Sequence, residues 1–224
     1  MMNEKRPSKT KEVLNSQKSH WEQTYTANPD MFGENPSEPA KKAAALFKKE
    51  NRTNILELGG GQGRDTLFFA GNGFRVTTLD YSGEGIKTIK EKANRLGHLS
   101  SITAICSDVR NSLPFADESF DACYSHMLFC MALTNKELES ISREIRRILK
   151  PGGICVYTVR HTGDPLYQKG IHRGEDMYEM GGFIVHYFSR DKVEHLAEDY
   201  QIISIDEFEE GGLPKKLFRV ALRK

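Results

Sequence analysis

Short apolar runs and helical apolar stripes alternate along the middle of the chain. Runs at 54–58, 74–79 and 101–105 have the length and composition of buried parallel strands. Between them, residues 64–72 and 82–97 carry apolar side chains at helical spacing, the second stretch with a serine at its start and a glycine at its end. This succession predicts strand–helix–strand units, whose right-handed crossovers build a doubly wound parallel sheet.

Two further strands are predicted beyond these units. The fourth leads out of residues 113–121 and ends at Ser125–Met127, and the fifth covers Ile154–Val159. A helix with a strong apolar stripe lies between them, and Thr134 and Glu137 have the spacing of a capping box at its start. The parallel sheet is therefore expected to have at least five strands.

Alternating apolar and polar residues mark the carboxyl-terminal part. The runs Ile202–Phe208 and Leu217–Leu222 predict an antiparallel hairpin, with its bend at 211–214. Together the patterns predict a Rossmann-like α/β fold: a seven-stranded, mostly parallel, doubly wound sheet that closes with this hairpin and carries helices on both faces.

Two segments fall outside the repeating pattern. Residues 1–18 are polar without periodicity and are predicted to be a flexible tail, disordered or loosely helical, which leaves 19–224 as a single domain. Within that domain, residues 19–50 are predicted to form helices that cover the site, with Ser37 as the amino-terminal cap of a helix over 38–49. The roughly thirty residues at 160–188, rich in Gly, Tyr, Met and His, are predicted to be an ordered lid insertion on the acceptor side.

The first predicted strand stops at a glycine-rich turn, NILELGGGQGRD at 54–65. Gly59, Gly61 and Gly63 allow positive φ angles and the close approach of a ligand to the backbone. A dinucleotide fingerprint would need glycine at position 64, where the chain has Arg64, and the Gly-Lys-Ser/Thr ending of a P-loop is absent. The turn is therefore interpreted as a ligand cradle of another class, the alternative being a tight turn without a ligand.

Acidic residues follow the next two predicted strands. Asp80 ends the second strand, where a carboxylate can accept hydrogen bonds from two ribose hydroxyls. Ser107 and Asp108 follow the third strand, and LPFADESFD at 113–121 leads into the fourth. With the glycine turn, these features resemble the class I S-adenosylmethionine-dependent methyltransferases over roughly residues 50–160.

The resemblance implies S-adenosyl-L-methionine as the cofactor. By this resemblance Asp80 would bind the ribose, Asp108 and Val109 the adenine, and Glu57 would favour the cationic end; the alternative for Asp108 is a turn or cap residue. The remaining residues implied in cofactor binding are the turn glycines and their neighbours at the strand ends: Gly59, Gly60, Gly61, Gly63, Tyr81, Ser107 and Ser125.

Trp21 and Tyr25 precede the first strand and lie four residues apart, on one face of a helix. Members of the resembled family often fold such a helix over the cofactor, where its aromatic side chains would exclude water. The alternative is that both rings simply pack on the edge of the sheet.

His126, at the end of the fourth strand, is the candidate catalytic residue. Methyl transfer is an in-line displacement at carbon, so a general base is needed only when the acceptor must lose a proton. The alternative is a histidine held by packing or hydrogen bonding. The spacing of His161, His172 and His186 matches no metal signature, so no metal site is expected and these residues are candidates for acceptor contacts.

Composition limits the environment and the partners. The 224 residues are 38% hydrophobic with a mean hydropathy of −0.55, no apolar run approaches the length of a membrane span, and no secretory leader is recognised. The four cysteines form no CxxC and are expected to be buried free thiols, so a cytoplasmic location without membrane contact is predicted. With 32 basic and 31 acidic residues, the balanced charge makes nucleic acid an unlikely partner.

The compact chain resembles small-molecule methyltransferases such as the tellurite-resistance and thiol methyltransferase groups. A small nucleophilic molecule is therefore the expected methyl acceptor. The alternatives are an RNA or protein methyltransferase, a non-catalytic S-adenosylmethionine-binding partner subunit, and a nicotinamide-dependent oxidoreductase. Arg64 in place of the dinucleotide glycine argues against the last of these.

Overall fold

A computed structural model describes residues 7–211 and 215–224. The helices in these ranges are α1 Pro7–Ala27, α2 Glu38–Lys49, α3 Arg64–Gly71, α4 Gly83–Arg95, α5 Asn135–Ile148 and α6 Arg190–Leu196. The strands are β1 Asn54–Leu58, β2 Arg75–Asp80, β3 Ile102–Cys106, β4 Phe120–His126, β5 Leu149–Arg160, β6 Ile171–Gly174, β7 Met177–Met180, β8 Phe183–His186, β9 Gln201–Glu210 and β10 Lys215–Arg223.

The main sheet has seven strands in the order β3-β2-β1-β4-β5-β10-β9. β1 pairs in parallel with β2 on one side and with β4 on the other, so the strand order reverses beside β1. β10 is antiparallel to both β5 and β9. The predicted fold class is therefore confirmed, and the carboxyl ends of β1, β2, β3 and β4 lie along one edge where doubly wound sheets bind ligands.

Helices cover both faces of this sheet. The apolar stripe of α5, with Leu138, Ile141 and Ile145 buried, packs on one face. On the opposite face, Phe47 of α2 and Phe69 of α3 are fully buried. Each helix buries one stripe of side chains, and these side chains are the apolar residues that recur at helical spacing in the sequence.

Helix caps lie where the sequence predicts them. Thr134 and Glu137 form the reciprocal capping box at the start of α5. The Ser82 hydroxyl accepts the Gly85 N–H in front of α4, and the Ser37 hydroxyl accepts the Ala40 N–H in front of α2. These local signals fix the helix starts within a residue of the prediction.

The amino-terminal part differs from the sequence prediction. α1 begins at Pro7, so a tail boundary at residue 18 is wrong for residues 7–18, while residues 1–6 lie outside the described part. Leu14 and Gln17 are each only 6% exposed. Both side chains contact residues that are more than a hundred positions away in the sequence. Contacts of this kind cannot be predicted from apolar periodicity within the helix.

The predicted insertion after β5 is ordered. β6, β7 and β8 form a separate three-stranded antiparallel sheet, which we call the insertion sheet. A buried ion pair between Arg160 and Asp164, 2.5 Å from nitrogen to oxygen, stands at its base. The Arg160 guanidinium also lies 5.2 Å from the ring centroid of Tyr187.

The predicted closing hairpin is present as β9 and β10, and positions 212–214 of its bend lie outside the described residues. Among the helices that the structure describes, none has the length and apolar character needed to cross a bilayer. All four cysteines are free; Cys123, Cys130 and Cys155 are buried as predicted, whereas Cys106 is exposed. The prediction is wrong for Cys106 because β3, which it ends, is an edge strand of the main sheet.

Candidate functional site

The turn between β1 and α3 has the backbone that its glycines predict. Gly59, Gly61 and Gly63 have φ angles of 78°, 54° and 88°. Gly60 is required for a different reason, since a Cβ there would stand 2.1 Å from the Thr78 hydroxyl oxygen and 3.3 Å from a Glu57 carboxylate oxygen. The turn therefore lies directly on β2, with no room for a side chain beneath it.

Asp80 binds this turn from the end of β2. One carboxylate oxygen accepts the Gly61 N–H at 2.8 Å, and the other accepts the Ser82 N–H at 2.9 Å. Burial raises the pKa of Asp80 to about 6, against the lowering effect of these two hydrogen bonds. Each oxygen retains a lone pair, so the carboxylate can accept further hydrogen bonds from a ligand.

Glu57 lies beneath the turn and is 3% exposed. Its carboxylate accepts a short hydrogen bond from the Thr66 hydroxyl of α3. Burial raises the pKa of Glu57 to about 8, with a smaller contribution from nearby Asp65. The group is therefore mostly protonated at neutral pH in the ligand-free chain.

Asp108 lies after β3 in close contact with Arg110. The Arg110 Nη2 and Nε donate to the Asp108 carboxylate at 2.6 and 3.0 Å, and the Arg110 backbone N–H donates at 3.0 Å. Partial burial raises the pKa of Asp108, but these hydrogen bonds outweigh burial and hold the pKa below its ordinary value. Arg110 Nη1 also donates to the Asn15 side chain at 2.6 Å, which ties α1 to this wall of the site.

A cavity that is partly open to solvent lies at the carboxyl ends of β1, β2 and β3. Of the residues predicted to bind a cofactor, those that line the cavity are Gly59, Asp80, Tyr81, Ser107, Asp108 and Val109. Lining residues that the sequence analysis missed are Leu14, Gln17, Leu79, Arg110, Leu128, Met131, Ala132 and Leu133. Arg110 could have been found from its position two residues after Asp108, whereas Leu14 and Gln17 carry no local signal.

The other predicted residues do not line the cavity. Gly60, Gly61 and Gly63 belong to the turn behind Gly59, and Glu57 lies below it. The Ser125 hydroxyl is fully buried and donates to the Leu58 carbonyl at 3.0 Å, so it joins β4 to β1 instead.

Trp21 and Tyr25 lie on α1 in an aromatic cluster. The Trp21 ring centroid is 5.4 Å from that of Tyr25 and 4.9 Å from that of Phe183 in β8. Tyr25 is 7% exposed, and its hydroxyl is 3.1 Å from where a Cβ on Gly61 would stand. The Tyr25 ring therefore lies against the glycine turn, and the Trp21 ring contacts the insertion sheet.

His126, at the end of β4, is held by two polar neighbours. Its Nδ1 is 2.8 Å from the Thr158 hydroxyl of β5, and its Nε2 is 3.4 Å from a carboxylate oxygen of Glu210 in β9. The His126 ring lowers the pKa of Glu210 by hydrogen bonding. The side chain is 12% exposed and lies outside the residues that line the cavity.

Known proteins resemble the chain in both sequence and fold. The model of the methyltransferase domain family matches residues 56–157. Phosphoethanolamine N-methyltransferase 3 of Arabidopsis thaliana is 31% identical over 106 residues, which are 47% of this chain and 21% of that protein. Malonyl-[acyl-carrier protein] O-methyltransferase of Pectobacterium atrosepticum is 28% identical over 137 residues, covering 60% of this chain and 49% of that protein.

Among solved structures, 1,6-didemethyltoxoflavin-N1-methyltransferase of Burkholderia thailandensis shares the fold. It contains S-adenosylhomocysteine and 1,6-didemethyltoxoflavin. It superposes with a TM-score of 0.72 at 18% identity, covering 100% of this chain and 92% of that one. This superposition shows that the two chains share a fold. The chain spans less than half the length of the two curated relatives described here.

Proposed function

Because the model of the methyltransferase domain family matches residues 56–157, we propose that the chain is an S-adenosylmethionine-dependent enzyme that methylates a small nucleophilic molecule. One observation carries the proposal: Asp80 and Asp108 follow adjacent strands and line one cavity together with Gly59 of the side-chain-free turn. A nucleoside needs acceptors at these two places, and a charged methionine portion needs exposed backbone beside them.

The residues fit the proposed cofactor. Asp80 has acceptor capacity left for the ribose hydroxyls. Val109 and Arg110 form the wall for the adenine, with Asp108 held by Arg110. When bound, S-adenosyl-L-methionine supplies a methyl group activated by a positively charged sulfur. Glu57 acts through the turn rather than by lining the cavity.

The chain itself contributes alignment and exclusion of water. α1 covers the cavity with Leu14 and Gln17, and the aromatic cluster of Trp21, Tyr25 and Phe183 lies beside it. An in-line displacement gains most from a fixed donor–acceptor geometry and from a site without competing water. Neither contribution requires a covalent intermediate on the chain.

Ionisation of Asp80 makes cofactor binding depend on pH. Its pKa of about 6 means that the carboxylate takes up a proton as the pH falls through this value. The protonated acid is a weaker acceptor for hydroxyls, so we expect S-adenosylhomocysteine affinity to fall between pH 7 and pH 5, at most about tenfold per pH unit. Calorimetric titration at several pH values measures this. An affinity that rises as the pH falls would contradict the assignment.

His126 is proposed as the general base for an acceptor that must lose a proton. We expect His126→Ala to leave S-adenosylhomocysteine affinity within about twofold and to lower turnover by roughly 10²-fold or more. His195→Ala serves as the control, because that histidine is 55% exposed at the surface. Equal losses of folding and cofactor affinity in His126→Ala would instead indicate a structural histidine.

A small acceptor is supported by the relatives. The Arabidopsis protein is named for phosphoethanolamine, and the Burkholderia enzyme contains 1,6-didemethyltoxoflavin, both of which are small molecules. The net charge of +1 lacks the basic excess that RNA binding uses. The Pectobacterium enzyme is named for a malonyl group that is bound to acyl-carrier protein. The experiment must therefore distinguish a free small acceptor from a carrier-bound one.

The proposal is tested with methyl-labelled S-adenosylmethionine and cell extract separated by size. We expect the full chain to label the small-molecule fraction, and Asp80→Ala to label it much less. Label found only in macromolecules would overturn the small acceptor and favour RNA, protein or a carrier-bound group. Cofactor binding without transfer to any fraction would favour a non-catalytic partner subunit.

A further inference from the structure

We propose that Gln17 is a positioning residue that couples the closure of α1 over the cofactor cavity to the placement of the insertion sheet. The inference rests on the proposed function, because it concerns the cofactor and acceptor sides of that same site. It predicts that occupation of the cofactor cavity orders the insertion sheet, and that loosening the sheet weakens cofactor binding.

Both polar atoms of the Gln17 side-chain amide make hydrogen bonds to the insertion sheet. Its Nε2 donates to the Gly182 carbonyl at 2.9 Å, and its Oε1 accepts the Ile184 N–H at 3.2 Å. The residue is 6% exposed and also lines the cavity. Both hydrogen bonds are buried, so moving α1 without the insertion sheet would leave the Gln17 amide and its two backbone partners unpaired. The free-energy cost of unpaired buried polar groups favours movement of α1 and the insertion sheet together.

Apolar and aromatic contacts join the same two elements. Leu14 of α1 forms a small core with Met177, Ile184 and Ala132. The Phe183 ring centroid lies 4.3 Å from that of His20. Phe183 also contacts Trp21, as described for the aromatic cluster. Contacts with the insertion sheet therefore extend along α1 over two turns, from position 14 to position 21.

The insertion sheet is also tied to the opposite wall of the cavity. The His186 backbone N–H donates to the Cys130 carbonyl at 2.9 Å, and its Nδ1 is 2.7 Å from the Leu133 carbonyl oxygen. Leu133 lines the cavity, as Gln17 does. Strand β8 thus holds both α1 and the segment after β4, the two parts that enclose the cofactor side.

Coupling of this kind is reciprocal in free energy. If a ligand that holds α1 closed stabilises the contact between α1 and the insertion sheet, then a change that loosens this contact from the side of the sheet must reduce affinity for that ligand. Phe183 offers such a change, because it contacts α1 but does not line the cavity. Ile171 offers a matched control in the same sheet, since it is 55% exposed.

The experiment combines amide hydrogen exchange with calorimetric titration of S-adenosylhomocysteine, on the full chain and three variants. In the unchanged protein, we expect the ligand to slow exchange at the glycine turn, in α1 and in residues 177–186. In Gln17→Leu, which keeps the bulk but not the hydrogen bonds, the turn should still respond and residues 177–186 should not. Phe183→Ala should lose roughly fivefold or more in affinity, and Ile171→Ala should bind as the unchanged protein does.

The outcomes separate the two proposals. If S-adenosylhomocysteine binds but residues 177–186 do not respond, or if Phe183→Ala binds as tightly as Ile171→Ala, the coupling is overturned and the proposed function stands. If the unchanged protein does not bind the ligand, the proposed function is overturned and the coupling with it. Should Gln17→Leu fail to fold, the Phe183→Ala affinity and the exchange response of the unchanged protein decide the matter.

Discussion

Replacing Asp80 with alanine is expected to weaken S-adenosylhomocysteine binding by about 1–3 kcal/mol, which is roughly 5- to 150-fold in Kd. The substitution removes the charged acceptor proposed for the ribose hydroxyls. It also leaves the Gly61 and Ser82 N–H groups without their acceptor, so the turn loses one of its anchors. Calorimetric titration measures the affinity, and a thermal melt measures the accompanying loss of stability.

Asp117→Ala is the control for the Asp80 variant. The Asp117 side chain is 74% exposed in an ion pair with Arg147, so removing it changes charge without touching the cavity. Affinity that is equal in the two variants would remove Asp80 from the site. A loss of affinity in Asp80→Ala at unchanged melting temperature would point to direct contact with the cofactor.

Replacing Gly60 with alanine is expected to abolish measurable cofactor binding. The new Cβ would stand 2.1 Å from the Thr78 hydroxyl oxygen, which belongs to a fully buried strand residue, so the turn has to move. Overpacking of this kind destabilises a fold by about 1–3 kcal/mol. Ligand titration and chemical unfolding test the two effects separately.

Two further variants define the cause of the Gly60 effect. Gly71→Ala, at the end of α3, places a Cβ at an ordinary 3.4 Å from the His98 ring and should leave affinity unchanged. Adding Thr78→Ala to Gly60→Ala removes the clashing hydroxyl and should recover part of the binding. Full affinity in Gly60→Ala alone would mean that the turn does not rest on β2 as described.

The parts of the molecule that local sequence determines could be predicted. The turn is encoded by glycines, whose positive φ angles other residues avoid. The starts of three helices are encoded by cap residues, namely Ser37, Ser82 and Thr134. Asp80 follows from its place at the end of a buried run, because parallel strands bring their carboxyl ends to one edge.

The parts that depend on distant contacts could not be predicted. α1 is held by Gln17 and Leu14 against β7 and β8, a packing that no pattern within residues 7–27 records. The insertion sheet has strands of four residues, too short for alternation to be distinguished from a loop. The pairing of Asp108 with Arg110 depends on a side-chain geometry that spacing alone does not determine.

Because Glu57 is protonated in the ligand-free chain, cofactor binding is expected to be coupled to proton release. The carboxyl group holds its proton at neutral pH because it is buried, and a cation placed above the turn favours its ionised form. Cofactor binding should then release a fraction of a proton to the medium near pH 7. The apparent binding enthalpy should therefore vary with the ionisation enthalpy of the buffer, and this slope should be smaller in Glu57→Gln, where only Asp80 still releases a proton.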